Sequence, residues 1–242
     1  MLPMTSPRIG RADTKRAIRD GQPGRQALAW LRVRARLMPE LLSQSPPWVR
    51  GVFDHSWAPM EAVAQQAACL PSALLDHLLT CDSGFVVICA GDSQYRPGLT
   101  TLRHQLVQNV AFVSVKDLAN DNERPLHVIG HLIDHHLGCG GDGNGRWLSE
   151  GGGTMPHWRQ AGERLPRLFA LGYAADSVAQ SDLRNYFAQS LALYCRERQP
   201  LNIADPQICK WLRSTLWDQG FWRSDKPGEK QREGRPNAGT HL

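Results

Sequence analysis

Nowhere in the 242 residues is there an uninterrupted apolar run of eighteen or more, so a membrane-spanning helix is not expected. The start also lacks an apolar core followed by a small-residue cleavage site, which makes a cytoplasmic location the default expectation. Cysteine is sparse and scattered: Cys69, Cys81, Cys89, Cys139, Cys195 and Cys209 form no C-x-x-C pair. That spacing argues against a zinc ribbon and against a thioredoxin-like redox site. Several of the six lie in apolar surroundings, so reduced buried thiols are expected rather than a disulfide framework. Internal repeats and low-complexity tracts are missing too, which leaves an ordinary folded domain with polar ends.

Charge is present but uneven. Net charge is +5, and Arg8, Arg11, Lys15, Arg16, Arg19, Arg25, Arg32, Arg34 and Arg36 crowd the front against Asp13, Asp20 and Glu40. A basic front of this kind is a solvated arm, binds nucleic acid or anionic lipid, or serves as an organellar presequence. Residues 1–24 are expected as a disordered basic arm, 25–57 as a helix and linker, 58–223 as the main domain and 224–242 as a disordered tail.

The stretch around which the domain is organised is Leu126–Gly138, L-H-V-I-G-H-L-I-D-H-H-L-G, which holds four of the nine histidines. Leu126, Ile129, Ile133 and Leu137 make an apolar stripe at helical period, while His127, His131, Asp134 and His135 fall on another face. Asn120 to Asn122 offer caps, Pro125 suits a first turn, and Gly138 suits the position just past the end. The spacing predicts a helix with imidazoles on one side. Two histidines at i, i+4 can share one zinc ion. His127 and His135 cannot, being about 12 Å apart along the axis. The metalloprotease form H-E-x-x-H needs a glutamate after the first histidine, and Val128 stands there.

Elsewhere the pattern predicts helices over 26–42, over 58–80 in two pieces split at Pro71 with Ser72 as a cap, and over 157–171, 179–198 and 205–218. Phe85–Ala90 and Val110–Val115 read as strands, Gly91–Gly98 as a loop, and the glycine-rich 139–153 stretch as a mobile loop. Its D-G-N-G fails as a calcium loop, since glycines fall where carboxylates are required. The expected class is α+β, mainly helical, with a small sheet.

The segment H-V-I-G-H-L-I-D-H-H-L-G resembles the H-E-x-G-H-x-x-D-x-x-x-G signature of the anthrax-lethal-factor-like zincins, which include the Pro-Pro endopeptidases. The later N-Y-F-A-Q-S-L-A-L-Y, Asn185 to Tyr194, is similar to that family's E-[FY]-F-A-E element. The resemblance spans roughly residues 70–220 and implies a zincin-like fold. It places His127 and His131 at the zinc-binding histidines, Val128 at the catalytic glutamate, Asn185 at the glutamate ligand and Gln189 at the following glutamate. Tyr173 matches a tyrosine that stabilises the oxyanion. Asp134, His135, Asn185 and Gln189 are then second-shell or substitute ligands, Glu150, His157 and Cys139 are further candidates for a replacement ligand, and Glu150 is the best local candidate for a replacement base. Every departure falls on a working carboxylate. The implied function is a pseudoprotease that binds a protein or peptide in a retired cleft, with or without zinc. The alternatives are an active zinc metallopeptidase with an unusual base and a nucleic-acid-binding protein acting through its basic front.

Overall fold

The computed structural model describes residues 22–38 and 41–223. The expected basic arm up to residue 21, the tail from 224 and Pro39 lie outside the described residues. Helix α1 (Gln22–Arg34) leads into strand β1 (Ala35–Leu37), followed by α2 (Pro47–Arg50), α3 (Ala58–Ala67) and α4 (Ser72–Thr80). Strands β2 (Phe85–Cys89), β3 (Gln94–Leu102) and β4 (Gln105–Ser114) come next, then α5 (Val115–Ala119) and the histidine helix α6 (Arg124–Cys139). The remainder is a 3-10 turn (Leu148–Glu150) and helices α7 (Pro156–Gly162), α8 (Leu165–Phe169), α9 (Leu183–Arg196), α10 (Arg198–Ala204), α11 (Pro206–Ser214) and α12 (Gln219–Arg223). The chain is therefore mixed α and β, with one four-stranded sheet among many helices. No helix among the described residues is long and apolar enough to cross a membrane.

The sheet order is β1-β2-β4-β3, with β2 parallel to both neighbours and β3 antiparallel to β4. The β-branched run of β2 explains its inner place, because a strand covered on both faces needs continuous apolar side chains. Val86 and Ile88 join Ala111 and Val113 of β4 in the main core, while Val87 and Val110 form a smaller cluster on the opposite face. The main core also takes Ala27, Trp30 and Leu31 of α1, so residues 25–57 and 58–223 share one interior.

Three expectations about elements are corrected. The first helix stops at Arg34, not near 42, because Ala35–Leu37 pairs with β2 and backbone pairing ends the helix there. Gly91–Gly98 is not all loop: β3 starts at Gln94 and runs along the sheet edge, where Pro97, which has no N–H, is tolerated. Its register shifts between Arg96 and Leu99. Opposite that shift Asn109 adopts φ 61° and ties three segments together, accepting from the Gly98 amide at 2.8 Å and donating to Ser83 Oγ at 3.1 Å and the Gly141 carbonyl at 2.8 Å. Ser72 is the first helical residue of α4, not its cap, and Pro71 precedes it without a side-chain cap bond.

Helix α6 keeps the predicted stripe, with Leu126, Ile129, Ile133 and Leu137 all buried. It is nevertheless buried on nearly every side, including at Val128, Leu132, Asp134, His135 and His136. The expected polar face is thus an internal one. Gly138 lies inside α6, where a Cβ would collide with the Trp147–Leu148 backbone, and Gly140 at φ 67° ends the helix instead. Much of the glycine-rich stretch is packed, with Gly141, Trp147, Leu148, Ser149, Gly152 and Gly153 buried, while Asp142, Gly143, Asn144 and Arg146 are exposed. Its small residues allow close backbone approach to α6 and α7.

Candidate metal and peptide cleft

Helices α6 and α9 pack side by side through a small-residue contact. A Cβ on Gly130 would come within 2.9 Å of Ala188 Cα, so only glycine lets the axes come this close. The contact sits one residue from His131 and one from Gln189, which makes it the fulcrum that sets one helix's histidines against the other's amides. Asp182 caps α9, accepting from the Asn185 amide at 2.8 Å.

His127 and His131 face each other with Nε2 atoms 3.1 Å apart and rings crossed at 88°. Two zinc–imidazole bonds of about 2.0–2.1 Å spanning that gap would subtend an angle of about 100°, within the tetrahedral range. His127 Nδ1 lies 2.9 Å from Gln189 Oε1. Asn185 lines the same cleft as His131, and its Nδ2 donates to Asp182 Oδ2 at 2.6 Å. Burial lowers the basicity of both imidazoles, His131 to about 4, so both are neutral at physiological pH, the state a metal requires.

The third vertex is where the site departs from a hydrolytic centre. No group of three or more His, Cys, Asp or Glu residues able to hold a metal occurs among the described residues. The two imidazoles fit the histidine half of a zinc centre; the facing helix offers the amides Asn185 and Gln189, and the carboxylates that line the cleft, Asp182 and Glu150, are engaged by Asn185 and Arg184. Val128 is buried in the core.

The other predicted residues take different places. His135 is fully occupied: its Nε2 donates to the Asp142 carbonyl at 2.9 Å, so Nδ1 is the acceptor and the Tyr95 hydroxyl donates to it at 2.7 Å. It also stacks on Trp147, with centroids 4.8 Å apart, and is a structural residue rather than a substitute ligand. Asp134 orients no imidazole. Its carboxyl is buried and holds the 3-10 turn, with Ser149 N at 2.7 Å and Ser149 Oγ at 2.6 Å; burial raises its pKa to about 8. Glu150 does reach the cleft, but Oε1 pairs with Arg184 at 2.8 Å and Oε2 accepts from the Trp147 amide at 3.2 Å. Tyr173 is exposed and does not line the cleft. Cys139 turns its thiol to the carbonyls of His135 and Asp142, and His157 packs against Trp158 and Phe221.

A cleft of about 510 Å3 opens beside His131, lined by Tyr95, Pro97, Trp147, Glu150, Asp182, Arg184 and Asn185. Arg184 lies over the Trp147 ring at 4.0 Å, and Tyr95 stacks parallel to His131 at 6.3 Å. Tyr95, Trp147, Arg184 and Asp176 were invisible to sequence reasoning, since each reaches the histidines only through tertiary packing. Comparison with family models, with curated proteins and with solved structures returns no match for this chain.

Proposed function

We propose that this chain is a degenerate zincin-like domain of the lethal-factor-like kind, acting as a protein- or peptide-binding module with a residual metal point at His127 and His131. The observation that carries the reading is the 3.1 Å approach of the two Nε2 atoms, with Asn185 and Gln189 on the facing helix where the resembling family carries glutamates. Peptide hydrolysis at zinc requires a carboxylate to take the proton of the bound water and pass it to the leaving amine. Val128 can do neither, and a positioned base is worth about 10²–10⁴-fold. The amide at Asn185 adds no negative charge to hold a dication. What is left is recognition: aromatic and proline surfaces at Tyr95, Trp147 and Pro97, polar groups at Asp182 and Arg184, and the free edge of β3 alongside. These suit an extended peptide.

One observation favours a second reading, an active metallopeptidase with Glu150 as base, because Glu150 lines the same cleft as His131. Its two oxygens are both engaged, so it would first have to leave Arg184. Calorimetry with zinc and with a proline-rich peptide library separates the two. The expected result is zinc uptake abolished in His127→Ala and His131→Ala, with peptide binding weakened by Tyr95→Ala and no product formed. Absence of peptide binding in the zinc-loaded and zinc-free protein alike would overturn the binding-module reading.

A further inference from the structure

We infer that Asp176, which precedes α9 in the chain and touches neither histidine through a hydrogen bond, sets the tautomer of His127 by acting through Gln189. Asp176 Oδ2 accepts from Gln189 Nε2 at 2.8 Å, and Gln189 Oε1 stands 2.9 Å from His127 Nδ1. A carboxylate can only accept, so the amide of Gln189 has one orientation: its NH2 group toward Asp176 and its oxygen toward His127. An oxygen facing Nδ1 requires a proton there. His127 is therefore the Nδ1–H form, with a bare Nε2 lone pair aimed at His131. Among the described residues the hydrogen bond to that lone pair comes from His131 Nε2 at 3.1 Å, which then carries its own proton there. Its Nδ1, buried with no partner among the described residues, is then a bare nitrogen, a smaller penalty than a stranded N–H.

Every hydrogen bond in this chain points the same way, from His131 through His127 and Gln189 to the Asp176 carboxylate. The two histidines are thus unequal. His127 presents a metal-ready lone pair before any ion arrives, whereas His131 must first move its proton. The carboxylate at the far end also makes the His127 lone pair more basic. Asp176 is a positioning residue. Its consequence for metal rests on the reading of the preceding section; the tautomer itself does not.

The isosteric variant Asp176→Asn tests this. Asp176 Oδ1 also accepts from the Ala179 amide at 2.8 Å. With that bond kept by the Asn oxygen, an NH2 group faces Gln189, which turns its own oxygen toward it and its NH2 toward His127. The His127 proton then moves to Nε2, and the cleft loses its lone pair. Long-range 1H–15N correlation spectra of the metal-free protein read the tautomer directly, and Asp176→Leu, which frees Gln189 to adopt either orientation, is a second probe. The expected result is Nδ1–H in wild type, Nε2–H in Asp176→Asn and a mixture in Asp176→Leu. Zinc affinity falls by about 10–100-fold in Asp176→Asn, the range for lost outer-shell support. Nε2–H in the wild type, or unchanged Nδ1–H in both variants, would overturn the inference. Wild type with the expected tautomer and no zinc uptake would overturn the metal reading and leave the relay standing.

Discussion

The two halves of α6 carry the same residue type into different chemistry. In the first half, His127 and His131 meet edge to face across a cleft, with nitrogen opposite nitrogen. In the second, His135 has both nitrogens occupied by Tyr95 and Asp142. His136 has both buried with no partner among the described residues. Four imidazoles within ten residues therefore make one facing pair, one structural pillar and one neutral filler beside Gly84 and Gly141. Spacing along the helix cannot separate these roles; the atoms opposite each ring do.

The sharpest way to break this contrast is substitution within α6. His127→Ala or His131→Ala is expected to abolish zinc binding by calorimetry while the fold survives. His135→Ala is expected to leave zinc binding in place and to cost about 1–3 kcal/mol in urea unfolding, as its Tyr95 and Asp142 partners lose their contact. If His135→Ala removes the metal as completely as His127→Ala, the division is wrong. Next in size is the fulcrum. Gly130→Ala forces a Cβ against Ala188 and is expected to destabilise by about 1–3 kcal/mol, the range for overpacking, while weakening zinc through the displaced Gln189. Asn185→Glu supplies the anionic donor that the site lacks. It is expected to tighten zinc by about tenfold or more, taking the effect of an outer-shell partner as the floor.

Acidity gives a subtler comparison. Burial lowers His131 and His136 from 6.5 to about 4, and it lowers His127 and His135 as well. The unfolded chain binds those protons near pH 6.5 and the folded chain only at lower pH, near 4 for His131 and His136. Stability is therefore complete above about 6.5 and falls as the pH drops toward 4. Asp134 acts in the opposite sense: burial raises its carboxyl from 3.8 to about 8, so stability declines as the pH rises from about 4 to 8. Four histidines against one carboxyl make the acid limb the steeper. Asp134→Asn is expected to flatten the decline between pH 6.5 and 8 and to steepen the acid limb between about 4 and 6.5, which urea titrations across pH measure.

The parts of the fold legible in the sequence were those with local periodicity. The stripe of α6 and the β-branched run at Phe85 both depend on neighbours a few residues away. Strand β3 was illegible because Pro97 and Gly98 read locally as a turn; it exists because β4 offers it an edge. The packing of the glycine-rich stretch was equally hidden, since it depends on Gly138 meeting the Trp147–Leu148 backbone and Gly152 meeting that of Arg146 and Trp147. Within the site, i, i+4 spacing located His127 and His131. It could not reveal that Tyr95 claims His135, that Asp134 serves Ser149, or that Asp176 stands behind Gln189.

The central claim is that this cleft keeps the histidines of a hydrolase without its chemistry. The direct measurement is product formation by the full chain on a proline-rich peptide library, with and without zinc, read by mass spectrometry beside His127→Ala prepared identically. The account predicts no zinc-dependent cleavage in either protein. Zinc-dependent turnover in the wild type that disappears in His127→Ala would contradict it and make Glu150, freed from Arg184, the first residue to test as the base.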